Sequence, residues 1–467
     1  MRTAGLSEVA YKLTHVKWLE TRRGLIVGTI IVSAVYAALA ITRHLLFGSG
    51  ADLAIFDQAI SAASRFEPPT TAMKQPGFSI FGDHFHPIIM LMVPLYWIWD
   101  DPIMLLIGQS LAIGAALYIF ARTAQELLPG RLTSWLSVSL ALSIGVQAAA
   151  LYDFHELALG APLMAMVGRT YVKDQLMATA WWGVSLLLVK EDMGVFLIGV
   201  AMALWFKGKR LVGVVLVAVA LAYTWLVLAV IIPYFNPLGE YYYFHGSGEH
   251  AISTSLFQNL FTAFIFPAAA TITLALSFAS VGFLGWRSPL IWGFIGSWAT
   301  RAAIGNPNYV APFYQYHVIP AVLLAFAALD HLLRYQPIVD KRRELVVKLV
   351  TLGSLLVGPW FWSFVIVAKD AAWGANWAMA QVPAGARVVA DVKLTPHLTK
   401  TTTVSQLRPP HFVDGIYEPM PDVEWVIVDT KTRTHSGPGW IPSMMSELEP
   451  DFTQTATDGR WVILKRR

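Results

Sequence analysis

The chain has 467 residues, 56% of them hydrophobic and only 14% charged. A water-soluble domain carries roughly a quarter charged residues, so this composition excludes an ordinary soluble globule. The absence of cysteine removes disulfides, thiolate metal sites and cysteine nucleophiles. The net charge of +4 sits in small basic clusters rather than on a basic face, which argues against nucleic acid as a partner.

In chain order, residues 1–23 are expected to form a cytoplasmic N-terminus. Arg22-Arg23 precede an apolar run over 24–42 that is long for a signal peptide and lacks a small-residue cleavage site, so it reads as a start-transfer helix that stays. Further helices are expected near 102–121, 132–151, 156–169, 175–189, 193–206, 211–233, 264–285, 289–304, 311–330 and 349–367. The longest of these approach or exceed the roughly 18–20 residues that cross a bilayer. The resulting fold class is an all-α polytopic membrane domain over 24–368, with about eleven spans, followed by a small domain.

Orientation follows from the basic residues. With the N-terminus inside, Arg122, Arg169, Lys173, Lys207, Arg210, Arg334 and the Lys341–Arg343 cluster all fall on the inner side. Before the tail, the outer side holds only Arg43, Arg65, Lys74, Lys190 and Arg301, as the positive-inside rule demands. The first outer loop is then 43–101, and its apolar stretch 87–99, too short to span and followed by Asp100-Asp101, is expected as an interfacial helix. The tail, 369–467, mixes polar and apolar residues, with strand-like runs over 386–390, 424–429 and 461–465 and a helix start at Thr395. It reads as a small extracytoplasmic α/β domain.

The same threading gathers the acidic and imidazole side chains outside, in four clusters. Asp52-Leu-Ala-Ile-Phe-Asp57-Gln58 offers two carboxylates as general bases, or a solvated loop. Phe81-Gly-Asp83-His84-Phe-His86-Pro87 has the ligand types for a divalent cation or a proton shuttle, or forms a hydrogen-bonded turn. Asp153-Phe-His155-Glu156 lies between two apolar spans, where ionisable groups are expensive and usually functional, although Asp153 and Glu156 also suit a helix start. Lys190-Glu191-Asp192 sets a point charge suited to phosphate beside two acids, or forms an internal ion pair. Arg301, at the outer end of its helix, is a candidate for a lipid phosphate, and His317 sits at a helix mouth. No Walker loop, dinucleotide fingerprint or zincin motif occurs.

These four clusters, with His317 and Pro320 and the tail segment Val382-Pro-Ala-Gly-Ala-Arg387-Val…Leu394-Thr-Pro-His397-Leu, resemble a bacterial membrane family, domain of unknown function family 2079. The resemblance covers most of the chain. In layout the family is similar to the class C glycosyltransferases, such as protein mannosyltransferases and aminoarabinose transferases. Those enzymes carry one catalytic acid in the first outer loop and another in the second. Carried across, the first matches Asp57 or Asp52 and the second Asp153 or Glu156. The histidines of the second and third clusters have no counterpart there, and the first loop lacks the DxD spacing of metal-dependent members.

The expectation is therefore a plasma-membrane transferase moving a sugar from a polyprenyl-phosphate donor to an envelope glycan, lipid or protein acceptor. Lys190 and Arg301 are expected to hold the donor phosphate, with His155, His317, Glu191 and Asp192 lining the substrate site and Asp83, His84 and His86 as ligands of a divalent cation. The alternatives are a lipid or solute transporter, and a non-catalytic envelope assembly factor.

Overall fold

The structure is a computed structural model that describes residues 21–128, 131–241, 243, 268–304, 307–335, 341–342, 344–353, 369–407, 422–431, 445–446 and 448–467. Helix α1 (Arg22–Leu45) starts where Thr21 Oγ1 accepts the Gly24 amide at 3.0 Å, satisfying one of the donors that a helix start leaves open. At 1.5 Å per residue its 24 residues reach about 36 Å, enough for the roughly 30 Å hydrocarbon layer. A short helix, α2 (Ala51–Ser64), and a two-stranded ribbon of β1 (Thr70–Thr71) and β2 (Phe78–Ser79) fill the following loop. The apolar stretch after them forms a 3-10 segment over Pro87–Met92 and one α-turn, Val93–Tyr96, leaving Leu91, Trp97, Ile98 and Trp99 exposed.

The bundle continues with α3 (Ile103–Leu127), α4 (Arg131–Ala141), α5 (Ile144–Leu151), α6 (Glu156–Val172), α7 (Leu176–Ser185), α8 (Gly194–Phe206), α9 (Arg210–Leu226), α10 (Ala268–Ser280), α11 (Ile291–Ile304) and α12 (Val318–Tyr335). Five stretches among the described residues are long and apolar enough to cross a membrane: 22–45, 103–127, 134–151, 210–235 and 315–334. Two expected spans are irregular. The 132–151 helix breaks at Leu142-Ser143 into α4 and α5, and α9 is continued by a π-helical stretch, Val227–Ile231, and one more turn that ends at Phe235. The expected span at 349–367 lies largely outside the described residues.

Apolar content alone does not separate central from peripheral helices, but burial does. The 315–334 stretch is 83% buried, whereas the 210–235 stretch is 22% buried and turns Leu211, Val214, Val215, Leu221 and Trp225 outward, as a lipid-facing helix does. Small residues set the closest approaches, the usual device for helices packing in lipid. A Cβ at Gly199 of α8 would stand 2.3 Å from the Gly293 Cα of α11. That neighbour is backbone, so it has no rotamer with which to yield. Gly199→Ala is expected to destabilise the detergent-solubilised protein by about 1–3 kcal/mol in a thermal unfolding assay.

The C-terminal domain opens with α13 (Lys369–Ala380) and carries β3 (Arg387–Ala390), α14 (Thr395–Leu398), β4 (Thr403–Gln406), β5 (Trp425–Asp429), β6 (Phe452–Thr457) and β7 (Trp461–Arg466). The sheet order is β4-β3-β5-β7-β6, parallel on the β4-β3-β5 side and antiparallel on the other. Its core holds Val388, Val404, Ile427, Trp461 and Ile463, together with Phe47 from the loop after α1. The domain is thus packed onto that loop. Gln58 donates to the Val404 carbonyl at 2.9 Å, the Lys400 ammonium meets Asp101 at 3.0 Å, and the His44 and His397 rings stack with centroids 4.1 Å apart.

Candidate functional site

Three of the four clusters read from the sequence come from three separate loops and meet at the end of the bundle that the C-terminal domain covers. The loop before α6 contributes Asp153 and His155, the first residue of α6 is Glu156, and the His155 amide is fixed by Gln109 Oε1 of α3 at 3.0 Å. The loop between α7 and α8 contributes Lys190, Glu191 and Asp192, and the loop before Pro87 contributes Asp83, His84 and His86.

Glu156 is the hub. Its side chain is 1% exposed, and it faces Lys190 Nζ at 3.2 Å, His155 Nδ1 at 3.2 Å and His86 Nδ1 at 3.8 Å. Neither Glu156 oxygen makes a well-directed hydrogen bond, and both His86 ring nitrogens and His155 Nδ1 are likewise buried without one. Buried polar atoms in this state normally meet water or a ligand. Beside them, the His84 and Glu191 side chains pair at 2.6 Å, Glu191 also accepts the Phe85 amide at 3.2 Å, and Tyr241 donates to it at 3.3 Å. Lys74 Nζ lies 2.5 Å from Asp83, which also accepts from Tyr243 at 2.9 Å.

The electrostatics sort these groups. Burial pushes Asp52 up to about 7, with the Asp153 and Glu156 carboxylates adding to the rise and Lys74 and Lys190 opposing it. Burial likewise lifts Asp192, to about 6, against the pull of Lys190. Burial opposes charge on Glu191 too, but the His84 imidazolium and Lys190 outweigh it and bring the acid down to about 2. His84 rises in return, because Glu191 overcomes the cost of burying its charge. Burial lowers His86 to about 4 and drives His155 well below its ordinary value. Lys190 overcomes burial through Glu156, Glu191 and Asp192, and is held far above the usual ammonium range.

Arg301 and His317 join from α11 and the start of α12. Arg301 donates to the Ser297 carbonyl at 3.1 Å and the Tyr316 carbonyl at 2.9 Å, and lies 3.1 Å from His317 Nδ1. His317 Nε2 sits 2.8 Å from the Ala311 carbonyl, so Nε2 donates there and Nδ1 accepts from Arg301. One guanidinium nitrogen of Arg301 remains buried without a hydrogen bond. Asp192 and Tyr316 are its charged or ionisable neighbours, and Tyr316 in turn neighbours Lys190, Asp52 and Glu156.

The structure distributes the remaining candidates differently. Asp153 is a tether: it accepts from Arg43 at 2.7 Å and from the Gly50 amide at 2.8 Å, and so fixes the start of α2 and with it Asp52. Asp57 is buried on the other side of α2, where it accepts from Tyr96 at 2.5 Å and lies beside Thr399 of the C-terminal domain. Burial raises it to about 7, and its charged neighbours are Asp100 and Asp101 rather than the cluster. Asp83, His84 and His86 do not converge: they face Lys74, Glu191 and Glu156 respectively, and among the described residues no three acidic or imidazole side chains converge on a metal position. His245, His250 and Glu249 lie outside the described residues.

Sequence reasoning passed over Lys74 and Arg43 as site residues. A lone outer lysine carries no motif, and only its burial against Asp83 marks it.

An apolar helical bundle with a buried, charged cluster at one end and a strand-containing domain packed over that end is the architecture of a membrane protein. The chain belongs to the family described as "Predicted membrane protein (DUF2079)", which matches residues 43–466. Among solved structures it resembles ArnT from Cupriavidus metallidurans, crystallised with undecaprenyl phosphate, at a TM-score of 0.54 and 14% identity, over 95% of this chain and 98% of that one. No curated protein matches the sequence.

Proposed function

We propose that this protein is a membrane glycosyltransferase that moves a sugar from a polyprenyl-phosphate donor to an acceptor hydroxyl with inversion. The observation that carries the reading is a carboxylate poised near neutrality, Asp52, set beside the buried Lys190 ammonium, with the buried Arg301 guanidinium beside Asp192 of the Lys190 loop. The fold shared with ArnT, which was crystallised with a polyprenyl phosphate, supports the same class of donor.

In this mechanism the donor enters from the lipid, and its phosphate meets the Lys190 ammonium and the open guanidinium nitrogen of Arg301. Asp52 takes the acceptor's proton, the freed oxygen bonds the anomeric carbon, and the bond from that carbon to the phosphate oxygen breaks. The polyprenyl phosphate leaves with the electron pair, its charge stabilised by the two cations. Glu156, His155 and His86 present acceptor-facing lone pairs and ring nitrogens, while Glu191 and Asp192 hold Lys190 in place. His317 orients Arg301, and Asp153 positions Asp52. Of the two first-loop acids, Asp52 is the better base, because Asp57 is engaged with Tyr96 and Thr399. The separate partners of Asp83, His84 and His86 do not fit one shared cation, so no step is routed through a metal.

The chain would cross the plasma membrane about eleven times, with the N-terminus cytoplasmic and residues 369–467 outside, as the basic residues require. A base must be ionised to act. With Asp52 raised to about 7, kcat/KM is expected to rise with pH through the neutral range and to flatten above it. A pH–rate profile on a lipid-linked sugar substrate tests this, and a profile flat from pH 5 to pH 8 would remove Asp52 from the role.

A further inference from the structure

The opposite end of the bundle holds a second charged assembly that the transfer mechanism does not use. Glu126 of α3 faces Arg122 Nε at 2.9 Å, Arg169 Nη2 of α6 at 3.0 Å and Lys173 Nζ at 2.5 Å. One carboxylate thus neutralises one of three cations, and Arg22 at the start of α1 lines the same hollow, of about 370 Å³, adding a further positive charge. Arg169 also donates to Thr123 at 2.8 Å, which fixes its guanidinium at the helix surface. These arginines remain partly exposed, with Arg122 and Arg169 side chains at 33% and 25%.

Directly along the bundle lies an apolar groove of about 610 Å³ between α1 and α3, walled by Ile26, Ile30, Ala34, Leu111 and Ala115. The groove exists because the two helices touch at Ser33 and Gly114, where a Cβ on the glycine would stand 1.9 Å from Ser33 Oγ, while small residues beside that contact leave space. Tyr118 lines both hollows and joins them.

We propose that the two hollows form one site for an anionic glycerophospholipid, its phosphate on Arg22, Arg122 and Arg169 and one acyl chain along the α1–α3 groove. A surplus of positive charge and an adjoining lipid-facing apolar channel together match a phosphate ester carrying a hydrocarbon chain. A zwitterionic headgroup lacks the net charge, and a free phosphate has no use for the groove. The site is separate from the Asp52–Lys190 cluster and stands whether or not that cluster is catalytic.

The test uses the full-length protein purified in neutral detergent. Retained lipid is counted by native mass spectrometry, and the melting temperature is followed with added phosphatidylglycerol, phosphatidylcholine or inorganic phosphate. Phosphatidylglycerol is expected to bind in unit stoichiometry and raise the melting temperature, with phosphatidylcholine and inorganic phosphate without effect. Arg122→Gln with Arg169→Gln is expected to weaken phosphatidylglycerol binding by roughly 30-fold, at about 1 kcal/mol per basic residue. Because those arginines also pair with Glu126, Ala115→Trp serves as the second variant: it fills the groove, leaves the charges in place and is expected to lose the same lipid. Equal binding of the two phospholipids, an equal response to inorganic phosphate, or undiminished phosphatidylglycerol binding in Ala115→Trp would each overturn the proposal.

Discussion

Asp52→Asn is expected to lower sugar transfer by about 100- to 10,000-fold, the range general-base removal spans, while leaving the fold intact. The substitution keeps size and shape at the first turn of α2, and Asp153 still binds the Gly50 amide that holds that turn. Donor binding should be nearly unchanged, because Lys190 and Arg301 remain, so the loss belongs in kcat and not in KM. The rising limb of the pH profile should vanish with it. Asp57→Asn makes the matched control. An amide oxygen still accepts from Tyr96, and Asp57 faces the C-terminal domain rather than the cluster, so most of the turnover is expected to survive. Equal losses in the two variants would contradict the assignment.

Lys190→Ala is expected to cost about 3–5 kcal/mol of stability, the price of leaving buried charge without its counter-charge. Glu156, Glu191 and Asp192 all lean on this ammonium, and Glu156, 1% exposed, has no other full cation within 4 Å among the described residues. His86 and His155, the other groups near Glu156, are both pushed toward the neutral form by burial. Adding Glu156→Gln to Lys190→Ala should restore part of the loss, a coupling that a thermal double-mutant cycle measures directly. Lys190→Arg is expected to fold, yet to bind the donor less well, because a planar fork replaces a compact point charge. Additive effects of the two single substitutions would show that Lys190 and Glu156 do not work as a pair.

The membrane class, the order of the helices and the gathering of acids and imidazoles at one end were legible in the sequence, because each follows from charge and hydropathy along the chain. Three strands of the tail were legible for the same reason: β3, β5 and β7 occupy the middle of the sheet and read as apolar runs. The two strands that escaped notice, β4 and β6, are its edges, and β6, Phe-Thr-Gln-Thr-Ala-Thr, buries chiefly its first residue. Edge strands need not be apolar, so no run marks them. The break between α4 and α5 escaped because Leu142-Ser143 interrupts the helix without interrupting the apolar run.

Within the site, the motifs pointed to the right loops but not to the pairings. Asp52 and Asp57 are five residues apart, and the turn of α2 sends one toward Lys74 and Lys190 and the other toward Tyr96 and Thr399. Asp153 and Glu156 sit in a single short motif, yet one ties down Arg43 and Gly50 while the other meets Lys190. Such distinctions depend on tertiary contacts between segments tens to hundreds of residues apart. No local pattern encodes them.

The measurement that bears most directly on the central claim is turnover of radiolabelled polyprenyl-phosphate sugars by the purified protein in lipid nanodiscs. Wild type, Asp52→Asn and Asp57→Asn would be run side by side, and the anomeric configuration of the product read by NMR. A membrane glycosyltransferase working as proposed releases polyprenyl phosphate from at least one donor, inverts the anomeric centre, and loses this activity in Asp52→Asn alone. Saturable binding of a donor without release of its sugar in any acceptor mixture, or a product with retained configuration, would contradict the account.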